Sequence, residues 1–578
     1  MKKLTKAGMA TMALAASLTM LVAGCGGGGG TTANNAGNAA TNQTGAAGGP
    51  QDGGSIVIGQ ATKYDTTFIP QIPSDLYTQN IVNFAFDPLM TIDNNLNFVP
   101  DLMKSYSWSD DKKTLTVNLD PNANWTDGKP VTSDDVLFTM DVLASKEYNT
   151  TLQGSYGYLV SLVVGYDDIL NGKKKSFAET GGFQKVDDKT FKITFKQVDA
   201  AVLWSDIAVM QPMPKHALEN VPLKDLITSD FDKKPTVTDG PYKFVSVNGQ
   251  DSVEMTRNDN YFRGKPHIQN VTFKTVSADV MPGLLANNSV NLVLQSALKP
   301  TDVEKLKQVQ NVKVLPMPSL SYQYMGLKIK QHPEFNQKFR QALMYGINRQ
   351  AIVDGLLKGY GKVLNAPIPE VSWAAATPAD GLNEYKYDPN KANQLLDEAG
   401  WKIGPDGWRI DPVTGKNSIP LDYPLGNTVR MASATAIAQD LAKVHLKIDL
   451  HQPQDFDTLA KKVQADDPSI YMWLMGWSLS VDPDPRGMYD SNAAYNYPRW
   501  VDKQNDELIN ATANEAAFDK NVRKQALVKW EVYYNQQVPY IFLYEPDDIY
   551  AYTSNLQIPK NDWTVTGPIN PQEWWVNQ

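Results

Sequence analysis

The only cysteine in this 578-residue chain is Cys25. Everything beyond it must therefore fold without an intrachain disulfide or a thiolate-bound zinc cluster, on buried apolar area and hydrogen bonds alone. The chain has the means. It is 42% hydrophobic and 20% charged, which excludes disorder as the dominant state, and it is far longer than one core requires. Lys+Arg 54 against Asp+Glu 63 leaves a net charge of -9, so a nucleic-acid phosphate backbone is a poor partner. Aromatics make up 10%, with 13 Trp and 26 Tyr, flat amphipathic side chains that suit ligand walls as well as cores.

Lys2, Lys3 and Lys6 precede an apolar stretch, Ala7 to Leu21, broken by Thr11, Ser17 and Thr19 and followed by Val22-Ala23-Gly24-Cys25. This is the layout of an export signal, with 1–24 as the signal peptide. Its end resembles the lipobox of bacterial lipoproteins, in which the cysteine sulfur carries a diacylglyceryl group, so Cys25 is the expected lipidation site. The apolar run falls short of the roughly 20 residues that span a bilayer. Residues 25–53 read as a low-complexity tether, because Gly26 to Gln51 contains no charge and too little apolar surface to offset chain entropy. As a Gly-rich coil it would reach about 28 Å. The expected location is the cell envelope, outside the cytoplasm and anchored to the outer face of the cytoplasmic membrane, whether that space is extracellular or periplasmic.

Beyond Gly54 there is no further linker and no internal repeat. Ser55 to Gly59 reads as an opening strand, while Lys113 to Leu119 and Thr190 to Phe195 alternate with period two. Ser133 opens a helix with Asp134 and Asp135 in its first turn, where carboxylates suit the positive end of the dipole. Asp388-Pro389 opens another that stops at Gly400, and Asp519 to Gln536 is a third, ended by Pro539 and followed by the strand-like Tyr540 to Tyr544. Mixed elements over this length predict α/β lobes.

Six segments occur in an order that resembles family-five extracellular solute-binding proteins, the cluster C receptors of ABC importers for peptides. They are Val99 to Val136, with Trp108 and Trp125-Thr-Asp127-Gly128; Asp239-Gly240-Pro241-Tyr242; Arg257 to Tyr261 with Gly264-Lys265-Pro266; Phe339 to Leu343 with Ile347-Asn348-Arg349; Tyr387 to Trp401; and Gly476-Trp477 with Asp482-Pro483-Asp484-Pro485. The resemblance implies a type II periplasmic-binding-protein fold, two α/β lobes joined by a two-segment hinge, with an additional domain inserted in the first lobe. Lobe I would comprise 54–72, 225–315 and 553–578, the insert 73–224 and lobe II 316–552. The chain would cross between lobes near Lys313 to Met317 and Asp548 to Ala551.

The prolines of Asp482-Pro483-Asp484-Pro485 fix φ and remove donors, so the two carboxylates sit on a stiff turn. A fixed carboxylate in a water-poor cleft suits a peptide α-ammonium group. In relatives an aspartate after the Gly-Trp segment takes that role; the spacing here leaves open whether Asp482 or Asp484 does so. The expected ligand contacts are these two with Gly476 and the aromatics Trp477, Trp473, Tyr322 and Phe68, whose alternative role is core packing. Most of the affinity is expected from main-chain hydrogen bonds to an extended peptide.

No cofactor or metal is expected. Arg486 and Ala493 break the calcium-loop pattern around Asp482, and His445 and His451 lie about 20 Å apart if extended. His216, His267 and His332 have no His or Cys nearby, and nothing favours a nickel complex. The chain lacks G-x-S-x-G, H-E-x-x-H and G-x-x-x-x-G-K-[ST], so the expectation is a receptor and not an enzyme. A secreted glycosidase is the rival from another class, needing two carboxyls about 5–9 Å apart across a sugar cleft. Within the binding class, an oligosaccharide receptor or a peptide sensor without a transporter are the alternatives. The expected partners are a peptide, the membrane through the lipid anchor, and an ABC permease whose ATPases are separate chains; a monomer is expected.

Overall fold

Ile56 and Ile58 point to one side and are both buried, and this seats the opening strand, Ser55–Gln60, inside a 12-stranded sheet. The computed structural model describes residues 49–577 apart from 73, 74, 153 and 296. The export signal, Cys25 and most of the tether lie outside the described residues.

One half of the sheet runs Tyr242–Asn248, Ser252–Arg257, Asn270–Thr275, Ser55–Gln60, Leu292–Val293; the other runs Ser321–Leu327, Met472–Ser478, Ile419–Asp422, Ile448–Leu450. A single 13-residue strand, Ile541–Thr553, belongs to both. Its first residues pair with Ser321–Leu327 and Gly361–Val363, and its last with Val312–Pro318 and Leu292–Val293. The two expected crossings are hydrogen-bonded to one another, with Met317 opposite Asp548 and Val314 opposite Ala551. Pro316, Pro318 and Pro546 each remove a backbone donor here, which leaves the ladder thinner where the chain passes between halves.

Between Gln60 and Tyr242 no described strand joins the large sheet. The chain instead builds a four-stranded antiparallel sheet in the order Met103–Trp108, Thr114–Leu119, Thr190–Thr194, Phe183–Lys185. Its period-two face, Leu115, Val117, Phe191 and Ile193, shares a core with Val136 and Met140 of the helix Ser133–Ala144. That helix is closed at its start by Asp135, whose carboxylate accepts from the Thr132 backbone N–H at 2.8 Å. Asp388 caps Pro389–Glu398 by accepting from Lys391 N–H at 2.9 Å, and Asp519 caps Lys520–Gln537, so the acidic residues read as starts are starts.

Buried apolar residues fall into four clusters. Two draw only on residues 56–312 and 549–576, and the other two only on 322–544. Neither half needs the other to complete its core, the condition for two bodies to move about a hinge without unpacking. The segment outside the large sheet also touches the second half at a rim: Ala200 N–H donates to Ala513 C=O at 2.9 Å, Trp108 packs edge-on against Phe518, and Arg486 pairs with Asp199. Among the described residues no helix is long and apolar enough to cross a membrane.

Candidate functional site

Period two in one strand builds the site. Along Ser321–Leu327, Tyr322 and Tyr324 turn into a core, and Gln323 between them turns into a cleft of about 730 Å³ between the two halves of the fold. Gly476, opposite Gln323 on Met472–Ser478, lines the same cleft. A Cβ on Gly476 would stand 2.4 Å from Gln323 Nε2 and 2.8 Å from the Tyr322 carbonyl oxygen, so only glycine leaves Gln323 its place. Gln323 in turn uses Oε1 to accept from Arg430 Nε at 2.8 Å. Gly476→Ala is expected to displace Gln323, cost about 1–3 kcal/mol of strain and weaken ligand binding. Thermal unfolding and equilibrium binding of one ligand check this; unchanged affinity would mean that Gln323 has no part in the site.

The walls are rich in carboxamides. Gln79, Asn80 and Asn83 come from the first helix, Gln211 from across it, and Asn570 and Gln572 from the C-terminal segment. A carboxamide both donates and accepts, as a peptide backbone does, and can serve a chain of any sequence. The main chain of 476–481, extended through Ser478, and of 568–571, which turns into a short helix at Pro571, lines the cleft beside them. Apolar contact comes from Phe98, Phe456, Trp477 and Trp574.

Charge in the cleft is sparse and unevenly satisfied. Arg263 pairs with Asp101 at 2.8 Å and also donates to Asn570. Burial pushes the adjacent Asp87 up to about 6 against the pull of Arg263, and raises Asp101 well above the usual carboxylate range. Asp548 has no cation beside it among the described residues, and burial together with Asp547 pushes it up to about 7. Burial lowers the Arg430 guanidinium.

The cleft gathers Gly476 and Trp477 of the expected contacts. Phe68, Tyr322 and Trp473 do not line it. Phe68 packs on Tyr64 and Phe244, Tyr322 is hydrogen-bonded to Tyr489 through their hydroxyls, and Trp473 is wholly buried against Gly326, so all three serve cores. The stiff turn is present, but its carboxylates turn away from the cleft. Asp482 accepts two hydrogen bonds from Arg523, at 2.6 and 2.7 Å, both side chains being buried. Asp484 is clasped by Arg486, whose Nε lies 2.9 and 3.0 Å from its two oxygens. Burial raises Asp482 against the opposing pull of Arg523, whereas for Asp484 burial is overcome by the charge and hydrogen bonds of Arg486 together with the charge of Arg523, which hold it low. From this loop it is 478–481 that reach the cleft.

Gln323, Arg430 and Asp548 were not expected. The alternation Tyr322, Gln323, Tyr324 carried a signal for the first, since a polar residue between two buried rings must face elsewhere. Nothing local marks the other two, because one opens a helix and the other sits in a hinge strand. Among the described residues no group of three His, Cys, Asp or Glu side chains is placed to hold a metal ion.

Comparison with known proteins adds to this geometry. The family model described as "Bacterial extracellular solute-binding proteins, family 5 Middle" matches residues 97–498. The oligopeptide-binding protein AppA of Bacillus subtilis strain 168 is 28% identical over 542 residues, 92% of this chain and 93% of that protein. The dipeptide-binding protein of Escherichia coli K12 is 25% identical over 514 residues, 86% and 87%. The solved structure of B. subtilis AppA in complex with a nonapeptide superposes with a TM-score of 0.75 at 26% identity, covering 92% of this chain and all of that one. Lactococcal OppA, complexed with an endogenous peptide in the closed conformation, has the same fold, with a TM-score of 0.77 at 21% identity over 90% of this chain and 100% of that one.

Proposed function

The chain belongs to family 5 of the bacterial extracellular solute-binding proteins, and from that membership we propose that it is a lipid-anchored peptide receptor of an ABC importer. The observation that carries the reading is the interlobe cleft walled by carboxamides and main chain, groups that match a peptide backbone and ignore its side chains. Relatives that bind oligopeptides and dipeptides support it.

The peptide enters the open form, contacts both halves and shifts the population toward the closed form about the paired strands Val312–Pro318 and Ile541–Thr553. The closed receptor then docks on a membrane permease, whose ATPases are separate chains, while Cys25 holds it at the outer face of the membrane. It works as a monomer and returns its ligand chemically unchanged.

Native mass spectrometry of protein purified without denaturation tests this. The expected result is a stoichiometric peptide of intact covalent structure. A bound sugar or metal complex, or turnover of added peptide or glycan, would overturn it.

A further inference from the structure

A second cavity, of about 520 Å³, lies within the half of the fold that carries Ser321–Leu327. Its walls are drawn from residues 347–387 and from Glu545, and none of them lines the interlobe cleft. Motion of the two halves about the hinge therefore leaves these walls together. The volume is that of a small-molecule site.

The charges around the cavity are matched except at one point. Arg349 donates to the carbonyl oxygens of Leu364, Phe542, Glu384 and Tyr385. Lys386 pairs with Glu384 at 3.0 Å and Lys362 with Glu370, and all four side chains reach solvent. Glu545, on the strand Ile541–Thr553, is 6% exposed and meets neither arrangement. Its Oε2 accepts from the Glu370 backbone N–H at 2.9 Å, while its Oε1 accepts no hydrogen bond among the described residues. The Asn365 side chain lines the same cavity and makes no hydrogen bond among the described residues, with its Oδ1 buried. Two acceptors without donors in one cavity carry a desolvation cost, which an occupant bearing N–H groups removes.

The sign of that occupant follows from Glu545. Its charged neighbours are Glu370, Asp547 and Lys362; burial and the two like charges push it up to about 7 against the pull of Lys362. The one cation among the three is already bound by Glu370. A positively charged donor would complete the site, through a charge-assisted hydrogen bond to the open oxygen. Val363, Leu364, Ala366, Ile368 and Leu382 supply apolar wall for the rest of the occupant.

We propose that this cavity is a second binding site, separate from the interlobe cleft, for a small alkylammonium ligand. The ammonium head pairs with Glu545, Asn365 offers the further acceptor, and the alkyl chain lies against the apolar wall. This assignment is independent of what the cleft binds.

Calorimetric titration of the full chain with hexylammonium tests it, with 1-hexanol and hexanoate as controls of like size. Glu545→Gln removes the charge and keeps an oxygen for the Glu370 N–H; Asn365→Ala has no side-chain hydrogen bond to lose. Hexylammonium should fill one site at least about tenfold more tightly than 1-hexanol, and hexanoate should not bind. Glu545→Gln should erase the advantage over 1-hexanol, and Asn365→Ala should weaken hexylammonium several-fold. Because the cation favours the ionised carboxylate, wild-type affinity should rise from about pH 5.5 to about pH 8, whereas Glu545→Gln should show no such rise. No binding of hexylammonium, affinity no better than that of 1-hexanol, or unchanged affinity in Glu545→Gln would overturn the site. Should Glu545→Gln fold poorly, unchanged affinity in Asn365→Ala together with a flat wild-type pH profile would overturn it equally.

Discussion

Asp482→Ala is expected to destabilise the protein by about 3–5 kcal/mol and to leave its discrimination between free-amine and N-acetylated peptides unchanged. The cause is Arg523. Its guanidinium is buried and donates two parallel hydrogen bonds to Asp482 and a third to the Thr512 carbonyl at 3.0 Å. Removing the carboxylate strands that charge in a low-dielectric site. The Asp484 and Arg486 pair beside it cannot compensate, because Arg486 is already committed to Asp484 and to Asp199. Replacing both partners, Asp482→Leu with Arg523→Met, should recover most of the loss, since the penalty belongs to the unpaired charge and not to the missing bridge. Urea unfolding, read by the midpoint and slope of each transition, measures the effect. A loss of less than about 1 kcal/mol with a selective fall in free-amine affinity would return Asp482 to the ligand site.

Trp473→Ala is expected to cost about 3–5 kcal/mol, with ligand affinity retained by the protein that remains folded. The indole is fully buried beneath Ser321–Leu327, where a Cβ on Gly326 would stand 2.2 Å from its Cζ2. The Lys328 ammonium group lies over the ring at 5.5 Å from its centre and is itself buried and paired with Asp466. Truncation therefore opens a cavity and also removes the face on which a buried cation rests. Gly326 supplies the control. Gly326→Ala should destabilise by about 1–3 kcal/mol in the wild type, through collision with the indole, and by much less in Trp473→Ala, where the space is vacant. The double-mutant cycle from thermal or urea unfolding reads that coupling. Equal penalties in both backgrounds would place the strain elsewhere.

Both cases show where sequence and tertiary structure part. A run such as Tyr471 to Trp477 announces a strand rich in rings, and alternation announces that Tyr471, Trp473 and Trp477, at even spacing, share one face. It does not say which face meets a core and which a cleft, because the cleft is made by a second body that approaches only after the chain has crossed the hinge. Trp477, near the end of the strand, stacks on Tyr324 and Tyr497 at the edge of the core and also borders the cleft; Trp473, four residues earlier on the same face, is wholly covered. The aspartates follow the same logic. Two prolines make Asp482 to Pro485 a rigid turn, but the arginines that claim it come from the turn's own exit and from the helix Lys520–Gln537, 41 positions on in the case of Arg523.

Local patterns carried the elements. Period-two strands, capping aspartates at Asp388 and Asp519, and the order of six motifs were legible because each depends on residues within a few positions of one another. The exclusion of an intrachain disulfide is simpler still, since one cysteine cannot pair with itself. What required the folded chain was the assignment of charges. A carboxylate is a ligand seat or a structural anchor according to whether a cation reaches it first, and Coulomb attraction in a buried site is decided by separations of a few ångströms, whether the partners lie 41 positions apart, as Asp482 and Arg523, or 287, as Asp199 and Arg486. Sequence spacing holds no record of those separations, so it could not show that Arg523 reaches Asp482 or that Arg430 meets Gln323 beside the cleft.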